Sequence, residues 1–318
     1  MEIRNTALKT ILKKKMHAEA VADEKLNEVL KDEDIKILFV ASKKLIVDIA
    51  KLEVDGKDAT QLRVEYNSNR EIISKLLKAK GFNKEDLKPH YNCEICKDTG
   101  RVNGKDCKCL KAEMSKELIS LSGVDMSSFA EFNDDYSVFD NPEEMKCIYD
   151  KMRKFIMDIN NTAIDTIIFV GDTGVGKTHL MECMTTLALQ QGILTKYTTA
   201  FNFNHDMLRY HCSKLEDKEE IMEPYLNSDI LFLDDLGSEN KIKNVTNEYL
   251  YLVLNERMLN HKKTIISTNL TFEQIQDVYG ERIFSRLMHK KQSLKLKING
   301  RDLRIKSATK PNKKTCKK

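Results

Sequence analysis

The apolar positions of this chain fall into two regimes. Up to about residue 90 they recur at helical spacing: Leu26 and Leu30, then Ile35, Leu38, Leu45, Ile46 and Ile49, then Ile72, Ile73, Leu76 and Leu77. No proline precedes Pro89, and the glycines there are Gly56 and Gly81, so several helices are predicted, broken near residues 31–34, 55–58 and Gly81. Asn83-Lys-Glu-Asp reads as another helix start, and His17 as an exposed helix residue. From residue 141 short apolar runs alternate with helical segments. Asn141-Pro-Glu-Glu opens a helix that reaches about Ile159, with Pro142 in its first turn. Residues 166–170, 193–200, 229–237 and 263–269 read as strands, and residues 178–191, 204–212 and 218–226 as helices. This alternation predicts an α/β domain with a parallel sheet, whose functional residues emerge at the C-terminal strand ends.

What stands at those ends is chemical. After the first strand comes Gly171-Asp172-Thr173-Gly174-Val175-Gly176-Lys177-Thr178-His179, a phosphate-binding loop leading into a helix. Its glycines let successive backbone N–H groups face a phosphate chain, and the helix start adds free amides and a positive dipole end. Lys177 is placed to reach the β- and γ-phosphates, and Thr178 to hold Mg²⁺. The strand at 229–237 ends in Asp234 and Asp235; the first suits Mg²⁺, the second an attacking water. Asn269 closes the next strand and can reach that water or the γ-phosphate, or can be a plain strand-to-turn residue. Arg257 reads as a solvated helix face. Arg282 and Arg286, four apart on one helical face, are of the residue type suited to bidentate phosphate contact.

Between the two regimes lie Cys93 and Cys96, then Cys107 and Cys109. Two close pairs can surround one structural Zn²⁺ tetrahedrally, with Gly100 and Gly104 letting the connecting hairpin fold back. His90 can replace one thiolate; other metals, unligated thiols or a redox pair are the alternatives. The aromatic, polar stretch 127–139 reads as a linker, after a short helix at 111–122.

Charge changes the picture at one end. The formal net charge is +4, but residues 290–318 hold twelve Lys/Arg against the single acid Asp302, leaving the rest of the chain acidic. The segment 305–318 has no apolar periodicity and reads as a disordered basic tail that attracts nucleic acid or merely solubilises. No apolar run approaches a membrane span and no signal-peptide core opens the chain, so no membrane partner and a cytoplasmic location are expected. Eight cysteines there read as ligands or thiols.

Taken together, Gly-Asp-Thr-Gly-Val-Gly-Lys-Thr, Leu-Asp-Asp-Leu-Gly, Ile-Ser-Thr-Asn-Leu and Glu-Arg-Ile-Phe-Ser-Arg-Leu resemble the AAA+ ATPases of the bacterial replicative-helicase loaders, the DnaC/DnaI type, over about residues 90–304. The resemblance implies an AAA+ P-loop parallel sheet flanked by helices, preceded by an all-α module and a small zinc knuckle. It implies a helicase-docking module at 1–89, a knuckle at 90–112, a linker at 113–140 and an ATPase domain at 141–304. It makes Lys177 and Thr178 the Walker A residues, Asp234 and Asp235 the Walker B pair, and Asn269 sensor 1. Arg286 becomes an arginine finger offered to a neighbouring subunit, Arg282 its companion, and Arg304 a sensor 2 residue. The implied cofactors are ATP, Mg²⁺ and Zn²⁺. The implied partners are a DnaB-type hexameric helicase, single-stranded DNA (around residues 201–214 and the basic C-terminal segment) and further copies of the chain. The related transposition helper ATPases of IstB type share nearly the same ATPase motifs, and hand DNA to a transposase instead.

Overall fold

The computed structural model describes residues 2–304, so the basic segment 305–318 lies outside the described residues. Leu8–Asn103 form one compact unit and the rest of the described chain another.

The N-terminal part is helical: α1 (Glu2–Val29), α2 (Glu33–Val54) and α3 (Thr60–Ala79), followed by a 3-10 turn at Lys84–Leu87. The breaks fall where the sequence placed them. Asp32 caps α2 by accepting from the Ile35 amide, a bond that satisfies one orphan donor of the first turn. Val29, Ile35 and Leu77 form a small core with Ile73, Leu76, Phe82 and Leu87 against it. The Asn83 site is a capping box on the 3-10 turn.

A hairpin of β1 (Arg101–Val102) and β2 (Lys105–Asp106) then leads into α4 (Lys108–Leu121). Its turn is Asn103-Gly104, both at positive φ (50° and 78°), as a two-residue hairpin requires. Next come α5 (Pro142–Met157), β3 (Thr166–Val170), α6 (Lys177–Gln190), β4 (Thr195–Thr199), α7 (Ala200–Cys212), α8 (Leu215–Asn227) and β5 (Ile230–Leu236). The remainder is α9 (Thr246–Leu259), β6 (Lys263–Thr268), α10 (Phe272–Tyr279), α11 (Glu281–Leu287) and β7 (Ser293–Lys297).

Five strands make one sheet in the order β4-β5-β6-β3-β7, with every pair parallel. The phosphate-loop strand is the first of these five in sequence but lies inside the sheet, with the Asp and Asn strands on one side of it. This is the parallel sheet that the alternation of strands and helices predicts. The inner strands β3, β5 and β6 carry apolar runs because both faces are covered. Ile167 and Phe169 of β3, Ile230 and Phe232 of β5, and Ile265 of β6 enter the core beneath α5 and α6. Their alternates, Ile168, Val170, Leu231, Leu233 and Ile266, enter the core under α7, α9 and α11.

Two findings were not legible beforehand. β7 is a strand that the lysines around it conceal; Leu294 and Leu296 alternate onto the first core while the intervening residues face out. The stretch 127–139 is irregular, but Tyr136 and Phe139 are buried in that same core, with Phe129 and Phe132 packed against it. Beside them α4 shields the β4 edge: the Ser115 hydroxyl accepts the Thr195 N–H at 2.8 Å.

Arg257 corrects the sequence expectation. It is not on a solvated face but 1% exposed. Its guanidinium donates to the Tyr225 and Ser228 carbonyls (2.7 and 3.0 Å), the Lys263 carbonyl (2.6 Å) and the Thr264 hydroxyl (3.0 Å). A helical position late in an amphipathic pattern does not reveal that strand and helix ends behind it present unpaired carbonyls.

Candidate nucleotide site

The strand ends bring the sequence-predicted residues to one cleft of ≈ 530 Å³, lined by Thr173, Gly174, Gly176, Lys177, Thr178, His179, Glu182, Thr199, Asp234, Asp235, Ser267, Asn269, Leu303 and Arg304. β3 stops at Val170, and the loop turns over Val175, which is buried in the core below, while Asp172 and Thr173 are exposed. Two glycines are required by close approach. At Gly174 (φ 81°) a Cβ would sit 2.0 Å from Asp302 Oδ1, and at Gly176 (φ 102°) 2.9 Å from Phe139 Cε1. The Leu303 amide donates to the Gly174 carbonyl at 3.0 Å, so the segment after β7 returns onto the loop. Arg301 anchors it through its guanidinium, whose Nε and Nη2 both donate to the Asp140 carboxylate.

Lys177 lies folded over the loop. Its ammonium donates to the carbonyls of Gly171 (2.6 Å) and Asp172 (2.7 Å) and to Asn269 Oδ1 (2.6 Å). Burial lowers its pKa, and the carboxylates of Asp235 and Asp234 oppose that shift. Asn269 also donates through Nδ2 to Asp235 Oδ1 at 3.0 Å, so one carboxamide joins the loop lysine to the second aspartate.

Asp234 is buried and held on three sides: it accepts from Thr178 Oγ1 (3.3 Å), Tyr197 OH (2.9 Å) and Ser267 Oγ. Asp235 stands at φ 60°, rare for a non-glycine residue, where the β5–β6 register shifts between Leu233 and Leu236. A bulge of this kind re-aims a side chain at a strand end. Here the Asp235 amide donates to Ser267 Oγ at 2.8 Å, so one serine hydroxyl meets both aspartates. The donor set of Thr178 and Asp234 suits a Mg²⁺ ion, a hard cation taking oxygen ligands.

His179, on the first turn of α6, projects to the opposite flank, where its Nδ1 lies 2.8 Å from Tyr149 OH. Arg304 is exposed on the rim. Of the described residues lining the cleft, neither Arg282 nor Arg286 is one. Both lie on α11 over the Tyr251 ring, at 4.2 and 5.5 Å, and Arg286 donates to Asn255 Oδ1 (2.9 Å) and Tyr251 OH (3.2 Å).

Sequence reasoning missed Tyr197, Ser267, Tyr149 and Asp302. Ser267 stood within the Ile-Ser-Thr-Asn strand end and was passed over because it precedes the terminal residue. The other three reach the site by tertiary packing and leave no local signal.

The cysteines converge as the spacing predicted. The sulfurs of Cys93, Cys96, Cys107 and Cys109 all lie within 4.8 Å of one another, the first three buried. The first pair sits in a knuckle whose Lys97 and Asp98 have positive φ, and the Asp98 carboxylate accepts the amides of Asn92 and Cys93 at 2.8 Å. The Gly100 amide donates to Cys96 Sγ at 3.4 Å. These four can hold a metal ion; His90 is not in the group.

The chain resembles known proteins over its sheet domain. The model of the IstB-like ATP binding protein family matches residues 150–311, half of the chain. The phage-like element PBSX protein XkdC of Bacillus subtilis is 28% identical over 220 residues, 61% of this chain and 79% of XkdC. The chromosomal replication initiator protein DnaA of Campylobacter jejuni is 31% identical over 126 residues, 39% of this chain but 27% of DnaA. The crystal structure of the DnaC helicase loader aligns with TM-score 0.42 and 20% identity, over 56% of this chain and 97% of that one. Among the described residues no helix is long and apolar enough to cross a membrane. The matched segment contains the phosphate loop, both aspartates, Asn269 and the two arginines of α11, and by it the chain belongs to the family of IstB-like ATP-binding proteins.

Proposed function

We propose that this protein hydrolyses ATP and uses that cycle to place a replicative hexameric helicase on single-stranded DNA. The observation that carries the proposal is the meeting of Lys177, Thr178, Asp234, Asp235 and Asn269 in one cleft at the C-terminal strand ends. In the bound state Lys177 exchanges its loop carbonyls for the β- and γ-phosphates, which are better partners for an ammonium. Thr178 and Asp234 would hold Mg²⁺, which would supply neutralising charge on the phosphate oxygens. Asp235, tethered by Asn269, orients the attacking water and takes its proton. Arg286 and Arg282 lie off the cleft's lining, and this favours their use on a neighbouring subunit's nucleotide, which makes hydrolysis depend on assembly. Cys93, Cys96, Cys107 and Cys109 would hold one structural Zn²⁺; a four-sulfur site would leave no open position for catalysis.

The helicase as partner is favoured by what precedes the ATPase domain, a separate helical unit and a cysteine knuckle, together with the motif set that resembles the loaders. The test is capture of a DnaB-type helicase by the full chain, with and without ATP, followed by helicase transfer to single-stranded DNA; absence of capture in both states refutes the loader reading. The match to the IstB-like ATP binding protein family favours a second reading, the IstB-type transposition helper whose ATPase motifs the sequence also resembles and which hands DNA to a transposase. Capture of a transposase in place of the helicase selects it.

A further inference from the structure

His179 occupies a place in the cleft that the phosphate-loop chemistry does not use. Thr178 turns to Asp234, and one residue later the α-helix has rotated by about 100°, which carries His179 to the side of α5. There its Nδ1 meets Tyr149 OH at 2.8 Å, with Cys183 Sγ at 3.8 Å from the same nitrogen. The Tyr149 ring cannot swing away: Phe132 and Tyr136 pack edge-on against it and Phe139 is tilted on it. Among the described residues the Tyr149 hydroxyl has no other hydrogen-bond partner, so its hydrogen goes to Nδ1. Burial drives the tyrosine pKa far up, which keeps the phenol a donor. An imidazole that accepts at Nδ1 carries its hydrogen on Nε2. The ring is otherwise exposed on the cleft wall.

We infer that His179 is a nucleotide-contacting residue whose Nε2–H donates to the α-phosphate, and that Tyr149 is the positioning residue that fixes this tautomer. The inference rests on the nucleotide reading above. The carboxylate flank, with the Mg²⁺ it would hold, would take the far end of the phosphate chain. The phosphate next to the nucleoside would therefore pass the first turn of α6, where free amides and a fixed donor would meet it. The Tyr149–His179 bond thus does for the substrate what a carboxylate or carbonyl does for a metal-bound histidine: it orients the ring and leaves one defined hydrogen facing outward.

The test is binding of ADP and of adenosine to the full chain. His179→Ala is expected to weaken ADP by about tenfold or more and to leave adenosine unchanged, since a hydrogen bond to a charged phosphate is what is lost. His179→Gln, whose amide nitrogen stands near the Nε2 position, is expected to restore most of it. Tyr149→Phe keeps the ring and removes the hydroxyl. It should weaken ADP less than His179→Ala does and turn a single Nε2–H imidazole signature in ¹⁵N spectra into a mixture. Unchanged ADP affinity in His179→Ala, alongside its loss in Lys177→Ala, overturns the histidine contact while leaving the nucleotide reading standing. A wild-type imidazole carrying its hydrogen on Nδ1 overturns the role of Tyr149. A wild-type chain without affinity for ADP overturns the nucleotide reading, and this contact with it.

Discussion

Lys177 Nζ lies 2.6 Å from Asn269 Oδ1, and the amide nitrogen of the same asparagine donates to Asp235. Asn269 thus ties the group that meets the phosphates to the group that meets the water. Replacing Asn269 by Ala is expected to leave ATP affinity within about threefold and to lower turnover by about tenfold or more, because the lost contact acts where charge develops. Equilibrium binding and steady-state hydrolysis on the same preparation check it; a loss confined to binding contradicts the assignment.

Arg286 is held beside Tyr251 and Asn255, off the lining of its own cleft. Arg286→Ala should bind ATP normally and lose about a thousandfold in assembled hydrolysis, the scale of an arginine finger. Mixing it with Asp235→Asn chains, which hydrolyse nothing themselves, should recover activity, since each supplies what the other lacks. No recovery on mixing would place the arginine's action within its own subunit.

The four sulfurs within 4.8 Å of one another are expected to bind about one zinc per chain. Elemental analysis should show this stoichiometry, and Cys93→Ser/Cys96→Ser should remove it. Hydrolysis without helicase should persist in that variant, because the knuckle is not part of the nucleotide cleft.

Arg257 donates to three carbonyls inside the fold. Arg257→Ala leaves them unpaired and is expected to cost about 3–5 kcal/mol, the range seen when one partner of a buried charged network is removed. Urea unfolding checks it; a cost below about 1 kcal/mol, the level of a surface change, would show that water repairs the gap.

Lys196 is buried, with its ammonium on Ser122 Oγ (2.8 Å) and over the Tyr225 ring, and burial pulls its pKa down from 10.5 to about 8. Between those values the unfolded chain binds the proton and the fold does not, so this group's contribution to stability rises with pH across that window. Below about 8 the cost of burying the charge is fully present. Lys196→Met should therefore gain most relative to wild type at neutral pH, with the advantage shrinking as pH climbs toward 10.5. Unfolding midpoints of both chains across this range test the sign, and a gap independent of pH refutes it.

The sheet was legible because its strands are buried on both faces, and runs such as Ile167-Ile-Phe169 admit few other readings. The phosphate loop and the aspartate pair were legible because their chemistry is local: consecutive residues at one strand end do the work. β7 was not, since its two leucines alternate among lysines and match a solvated segment as well as an edge strand. The aromatic stretch 127–139 read as a linker because it has no periodicity, yet irregular backbone can still bury Tyr136 and Phe139. Tyr197 on Asp234 and Tyr149 on His179 lie 37 and 30 residues from their partners, and nothing in either neighbourhood announces the contact. Arg257 shows the same limit from the other side: a charged residue is placed inside by carbonyls that only the tertiary fold assembles.

The last strand ends at Lys297, but the phosphate loop's packing does not. A chain shortened just beyond Ile298 would keep all five strands and the buried residues of both cores. It would lose the Asp302 carboxylate beside Gly174 and the Leu303 amide on the Gly174 carbonyl. Folding and nucleotide affinity would then part company, with a cooperative unfolding transition intact and the loop's conformation no longer held from above. Any shortening or fusion near that end therefore acts on the nucleotide site directly.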